Sequence, residues 1–254
     1  MTITDRVWTR YVGSLREIST KAAAEVTRYM ASHEIGTYEG RQALIAFAHA
    51  IATKYGEAAG TLACDMYDAL AELSEVLLPP AAPAATATME ETARAVVGTL
   101  KQSPDGLLTP DAIGRLARLA GVDTTMQNAI RDGAWWAWIP RGDTCAFCIT
   151  LASNGWQKAS KAALKGNHAE HVHANCDCTY AVKFDPFSDV EGYDPDRYYD
   201  MYADSPGRSS QQKINALRRK LYEANSDEIN RQKRSAYEKR RERESSAAEE
   251  IDIS

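Results

Sequence analysis

Trp135-Trp136-Ala137-Trp138-Ile139-Pro140-Arg141-Gly142-Asp143-Thr144-Cys145-Ala146-Phe147-Cys148 is where the chain changes character. Upstream, apolar residues recur at helical intervals. Here three tryptophans and an isoleucine crowd into five positions before a proline, the composition of a short strand entering a turn at Arg141-Gly142-Asp143. Period two places Trp136 and Trp138 on one face and Trp135 on the other, and core packing is the expected fate of these rings. Thr179-Tyr180-Ala181-Val182-Lys183-Phe184 is the second segment of strand composition and follows Cys178 directly. A two-stranded element with a cysteine pair near a strand end on each side follows, which would bring the pairs together.

Four of the five cysteines fall between Cys145 and Cys178, while Cys64 stands alone in an Ala-rich helical pattern as a small apolar core residue. Cys145-x2-Cys148 has the spacing of a zinc half-site. The second half is His173-x2-Cys176-x-Cys178, with His168 and His171 in reserve. That makes five candidates for four places. The first choice is Cys145, Cys148, His173 and Cys176, with Cys178 the rival of His173. A structural zinc is the leading expectation. Disulfides are the main alternative, and reduced, simply packed thiols another. A redox pair lacks a thioredoxin-type βαβ setting. Four protein ligands leave zinc no open position, and no His-Glu-x-x-His helix occurs, so a catalytic metal is disfavoured.

Working outward, Val7, Tyr11, Leu15, Ile18, Ala22, Val26 and Tyr29 mark one amphipathic helix stopped near Gly36. Leu44, Phe47, Ile51, Tyr55, Ala59, Leu62, Met66, Leu70, Leu73 and Leu77 mark a second, with Gly56 and Gly60 at a bend or a close crossing. The two predict an antiparallel hairpin. The Pro/Ala run from Leu78 to Ala85 reads as a linker or hinge. Met89 to Leu100 is helical. Thr109 as N-cap and Pro110 at the first position open a further helix, which Gly121 is placed to end. Asp185 to Pro206 reads as loop with one short helix around Tyr198 to Tyr202. Arg208 to Glu244 holds twelve Lys or Arg against six Asp or Glu, a charged helix trailing into a disordered tail. The fold class is therefore mainly α with a small α+β module, divided as residues 1–78, a linker 79–89, a Cys/His-stapled domain 90–206 and a charged tail 207–254.

With 254 residues, 44% hydrophobic and 26% charged, the composition is that of a soluble globular protein. The longest apolar run, Ala43 to Ala52, is interrupted by His49 and far short of the ~20 residues of a membrane span. Asp5, Arg6 and Arg10 occupy the place of a signal peptide's apolar core. A net charge of −5 argues against a surface that binds nucleic acid everywhere, leaving only the basic tail for DNA.

The run Thr144-Cys145-Ala146-Phe147-Cys148-Ile149-Thr150-Leu151-Ala152-Ser153-Asn154-Gly155, followed by His173-Ala174-Asn175-Cys176-Asp177-Cys178 and the strand Tyr180 to Phe184, resembles the signature of phage minor head proteins of the Mu F-like type. The resemblance covers about 50 residues, roughly 134 to 184. It implies a non-enzymatic minor capsid or head-morphogenesis protein of a tailed phage, present in the virion head and in the host cytoplasm during assembly. The implied partners are the portal protein, and the scaffold or major capsid protein, with DNA through the tail and no membrane. The competing expectations are a capsid maturation protease or zinc hydrolase, though no Gly-x-Ser-x-Gly elbow occurs, and a zinc-module nucleic-acid binder.

Overall fold

Helix α1 (Asp5–Ser32) buries the line Trp8, Tyr11, Leu15, Ala22 and Val26, so the stripe begins one residue later than expected, with Val7 half-buried beside it. The computed structural model describes residues 5–140, 144–160, 179–187, 190, 192–227, 230, 231 and 234. Helix α2 (Tyr38–Leu73) is capped by Thr37, whose hydroxyl accepts the Gly40 N–H at 3.0 Å. Its 36 residues span about 54 Å. It ends at Leu73, and the expected terminal stripe residue Leu77 lies fully exposed beyond it. Gly56 and Gly60 mark close approach and no break: a Cβ on Gly56 would meet Thr86 Cγ2 at 2.9 Å, and one on Gly60 would meet Pro83 Cβ at 3.3 Å.

What presses on those glycines is the segment read as a linker. Residues 79–88 cross the bundle as a strap whose backbone is hydrogen-bonded by side chains of the helices beneath. Asp68 Oδ1 accepts the Ala81 N–H. Asn128 grips Ala82 from both sides, accepting its N–H at 3.0 Å and donating to its carbonyl at 2.9 Å, as a neighbouring strand would. Thr124 Oγ1 accepts the Ala84 N–H, and the Arg131 guanidinium donates to the carbonyls of Pro79 and Pro80. The strap then enters helix α3 (Met89–Gln102) through a capping box between Thr88 and Glu91.

Helix α4 (Thr109–Asp132) departs from expectation at both ends. Thr109 bonds the Thr99 hydroxyl at 2.8 Å instead of capping, and the N-cap position is Leu108 with no side-chain cap. Gly121 does not end the helix, which continues to the left-handed Gly133. Gly121 is instead a crossing point, since a Cβ there would lie 2.9 Å from both the Ala59 carbonyl oxygen and Leu15 Cδ2. Gly114, two turns earlier, packs likewise against the Ser19 carbonyl oxygen.

From Gly133 the chain turns into β1 (Trp135–Ile139), the centre of a three-stranded antiparallel sheet of order β2-β1-β3, with β2 at Gln157–Lys158 and β3 at Thr179–Lys183. The two expected strands are present, and β2 adds a third through Trp135↔Lys158 and Trp136↔Gln157. In the main pair Trp138 stands opposite Tyr180 and Ile139 opposite Thr179. Trp136 and Trp138 are both buried, each edge-on to Tyr180, while Trp135 is half-buried on the other face under the Lys158 ammonium. Phe184 stacks edge-on against Tyr67 of α2, and Trp8 of α1 donates its indole N–H to the Tyr180 carbonyl at 3.1 Å. One core therefore runs from α1, α2 and α4 into the sheet, and a second fills the far end of the bundle around Val26, Leu44, Ile51, Val96 and Ile113. Helices α5 (Ala146–Ala152), α6 (Pro195–Ala203) and α7 (Ser210–Ala224) complete the architecture, α6 covering the short helix expected at Tyr198–Tyr202.

Candidate functional site

Helix α5 is apolar on every side, Ala-Phe-Cys-Ile-Thr-Leu-Ala apart from one threonine, and such a helix must be enclosed. Cys148, Leu151 and Ala152 face the main core, while Ala146 and Ile149 meet Leu217 of α7 and the edges of Tyr198 and Met201. Both helix ends are closed by side chains. At the start, Cys145 is the N-cap and its Sγ accepts the Cys148 N–H at 3.4 Å. At the finish, the Tyr193 hydroxyl donates to the Ala152 carbonyl at 2.7 Å. The Tyr193 phenol is held well above its usual range by burial, so it remains a donor.

Cys148 is buried and Cys145 half-buried, three residues apart around one helix start. Two thiols so placed could supply half of a tetrahedral set, which would need two more donors from elsewhere. The other candidates, His173, Cys176 and Cys178, lie outside the described residues, as do His168 and His171. The register nevertheless says where the two halves join the sheet. The chain leaves β1 at Ile139 on the way to Cys145 and enters β3 at Thr179 directly after Cys178, and Ile139 and Thr179 are cross-strand partners. Among the described residues, no three His, Cys, Asp or Glu side chains gather into a metal site.

The remaining thiol behaves differently. Cys64, on α2, is half-buried rather than enclosed, and burial followed by the charges of Asp68 and Asp65 pushes its thiol upward, which keeps it protonated. Several residues of the module escaped the sequence reading. Lys183 is buried to 3% exposure, donates to the Pro186 carbonyl at 3.2 Å and lies 4.4 Å above the ring of Trp156. Trp156 in turn meets Tyr193 edge-on. Only the aromatic content of 156, 193 and 198 signalled them. Trp8 was findable, since it stands three residues before Tyr11 on the buried stripe.

The model of one family spans this whole arrangement, matching residues 2–205 under the description VG15 protein. The chain belongs to the VG15 family. This is a family of phage proteins, and the match takes in the bundle, the strap, the sheet and α6 without interruption. The VG15 match stops before the basic helix α7. No curated protein and no solved structure matches the chain. No helix among the described residues is long and apolar enough to cross a membrane.

Proposed function

We propose that this VG15 protein is a minor head protein of a tailed phage, of the Mu F-like type, acting at the portal during head assembly or DNA delivery without chemistry of its own. The observation carrying this reading is the pairing of Ile139 with Thr179, because it ties the two cysteine-bearing segments of the resembling motif to one end of one antiparallel pair. In this reading four of Cys145, Cys148, His173, Cys176 and Cys178 supply the ligands of a structural zinc, His173 and Cys178 being rivals for one place. Zinc there would cross-link the two chain segments and supply no open coordination position. Cys145 doubles as the helix cap, so the staple also orients α5, and through Ala146 and Ile149 it orients the basic helix α7.

The assembly role is tested by detecting the chain in purified virions and by its co-purification with the portal protein. Its absence from both would overturn the role, and cleavage of the major capsid protein by the chain alone would replace it with the protease. For the staple, metal analysis of the full chain should find about one zinc per molecule, lost together with thermal stability in Cys145→Ser. A metal-free protein that loses its stability on thiol reduction would show disulfides instead.

A further inference from the structure

Helix α7 turns Ile214, Leu217 and Leu221 toward α5 and α6, and Leu217 is fully buried there. Its opposite side is open and carries Arg218, Arg219 and Tyr222, all exposed, with the ring four and three residues on from the two guanidiniums. Arg218 donates to Asn215 of its own helix, and none of Arg218, Arg219 and the adjacent Lys220 enters an ion pair among the described residues. Lys213 is used internally, donating to the Ala203 carbonyl at 2.8 Å. From Arg208 to Ala224, five Lys or Arg stand against Glu223 alone. Arginine and tyrosine are also the side chains enriched where proteins touch one another.

Helix α2 presents the complement. Glu57, Asp65, Asp68 and Glu72 are all exposed and fall on one face of the helix. No Lys or Arg occurs in the sequence between Lys54 and Arg94, and Lys54 is paired with Glu25 of α1. Arg131 reaches this end of α2 from α4, yet its guanidinium is held by Asp132 and by the carbonyls of Pro79 and Pro80. Asp68 accepts the Ala81 N–H, which leaves Glu57, Asp65 and Glu72 facing solvent with no ion pair among the described residues.

We propose that the open face of α7 docks along the acidic face of α2 in a second copy of this chain. The two faces are opposite in charge and matched in length, each running about 22 Å. Arginine forks on α7 meet carboxylates on α2, the pairing that guanidinium geometry serves best. Because unlike surfaces meet, the contact is heterologous and repeats from copy to copy as a ring or a row. A nucleic acid would use α7 alone, leave the α2 face unanswered and have to approach a chain of net charge −5. One helix laid on another is a small contact, so the association is weak, and its charges make it strongest at low salt. The inference is independent of a role at the portal.

The test is sedimentation velocity of the full, nuclease-treated chain over a range of concentrations. At about 20 mM sodium chloride the chain should self-associate, and at about 500 mM the association should weaken at least tenfold. Arg218→Glu with Arg219→Glu should remove it, and so should Glu57→Lys with Glu72→Lys, since each reverses one of the two faces. An equal mixture of these two double variants should associate again, because every α7 then finds an α2 of opposite charge in the other variant, although neither associates alone. If a reversed variant does not fold, Arg218→Gln with Arg219→Gln and Glu57→Gln with Glu72→Gln should each weaken the association without rescue on mixing. A chain that stays monomeric at low salt overturns the proposal, as does association that survives both double variants. Loss through the α7 variant alone, together with binding of a short DNA duplex that the same variant abolishes, overturns it in favour of a nucleic-acid surface.

Discussion

In the bundle, α2 and α4 meet over Gly56, Gly60 and Gly121, and α1 meets α4 over Gly114, so that main chain approaches main chain and strap. Asn128 and Thr124 find their partners in the strap's backbone, and Tyr11 donates to the Gly121 carbonyl of α4. The module at 134–224 is filled instead by large rings, with Trp136, Trp138, Tyr180, Trp156 and Tyr193 in edge-on contacts, and it leaves the indole N–H groups of Trp136, Trp138 and Trp156 without acceptors. The bundle is made by omitting atoms so that backbones close up. The module is made by adding ring area at the cost of polar satisfaction. A sheet of three short strands cannot enclose itself, which is why its rings borrow α1 and α2 for one wall.

The two regions should therefore fail in opposite ways. Removing atoms from the module has the largest effect. Trp138→Ala, at a site 2% exposed, should cost about 3–5 kcal/mol in urea unfolding, and a loss below about 1 kcal/mol would mean the sheet is not packed as described. In the bundle the strap is the vulnerable part. Asn128→Ala strips partners from the Ala82 N–H and C=O together and should cost about 2 kcal/mol, accompanied by faster proteolysis within residues 79–88. Adding a single methyl at the crossing should also destabilise. Gly121→Ala gains roughly 1 kcal/mol of helix propensity but forces a carbon to within 2.9 Å of the Ala59 carbonyl oxygen, leaving a net loss of about 1–2 kcal/mol. A stabilised Gly121→Ala would show that the helices can separate at no cost.

The smallest effect is electrostatic and has a definite sign. Asp132 is held below the ordinary carboxylate range, first by the Arg131 guanidinium and also by the Tyr67 hydroxyl that donates to it at 2.9 Å. A carboxyl lowered on folding stabilises the protein at pH values above its unfolded pKa of about 4, and that contribution is lost as the pH falls through the folded value. Wild type should accordingly lose its advantage over Asp132→Asn as thermal midpoints are followed from pH 6 to pH 2, starting from about 1 kcal/mol because Arg131 is a third exposed. Parallel acid limbs would remove Asp132 from the strap's support.

Periodicity made α1, α2, α3, β1 and β3 legible, because each has a long stripe or a dense run of β-formers. Three features were hidden for one reason. Gly121 in isolation is a stop signal, and only the Ala59 carbonyl pressed against it makes it a crossing. Pro79 to Ala85 has linker composition, and what turns it into a strap is a row of polar side chains on α4 that reads as ordinary helix surface. Strand β2 has two residues and no pattern of its own; it exists through its register with β1. Each depends on a partner distant in sequence. The cysteine spacing reads as a zinc half-site, and what the structure adds is that Cys145 and Cys148 sit together at a helix start. That Cys145 is also the cap could not be read, since cysteine is not a customary N-cap residue.

The hydrogen bond from Trp8 to the Tyr180 carbonyl joins residues 172 positions apart. At a synthesis rate of roughly 5–20 residues per second, the tryptophan leaves the ribosome on the order of ten to thirty seconds before its acceptor exists. For that interval the first helix carries a bare indole, and the sheet that will cover it has not been made. Final closure of the molecule is thus a late event that joins its first helix to one of its last strands, and any protein that binds the nascent helix competes directly with β3 for the same ring.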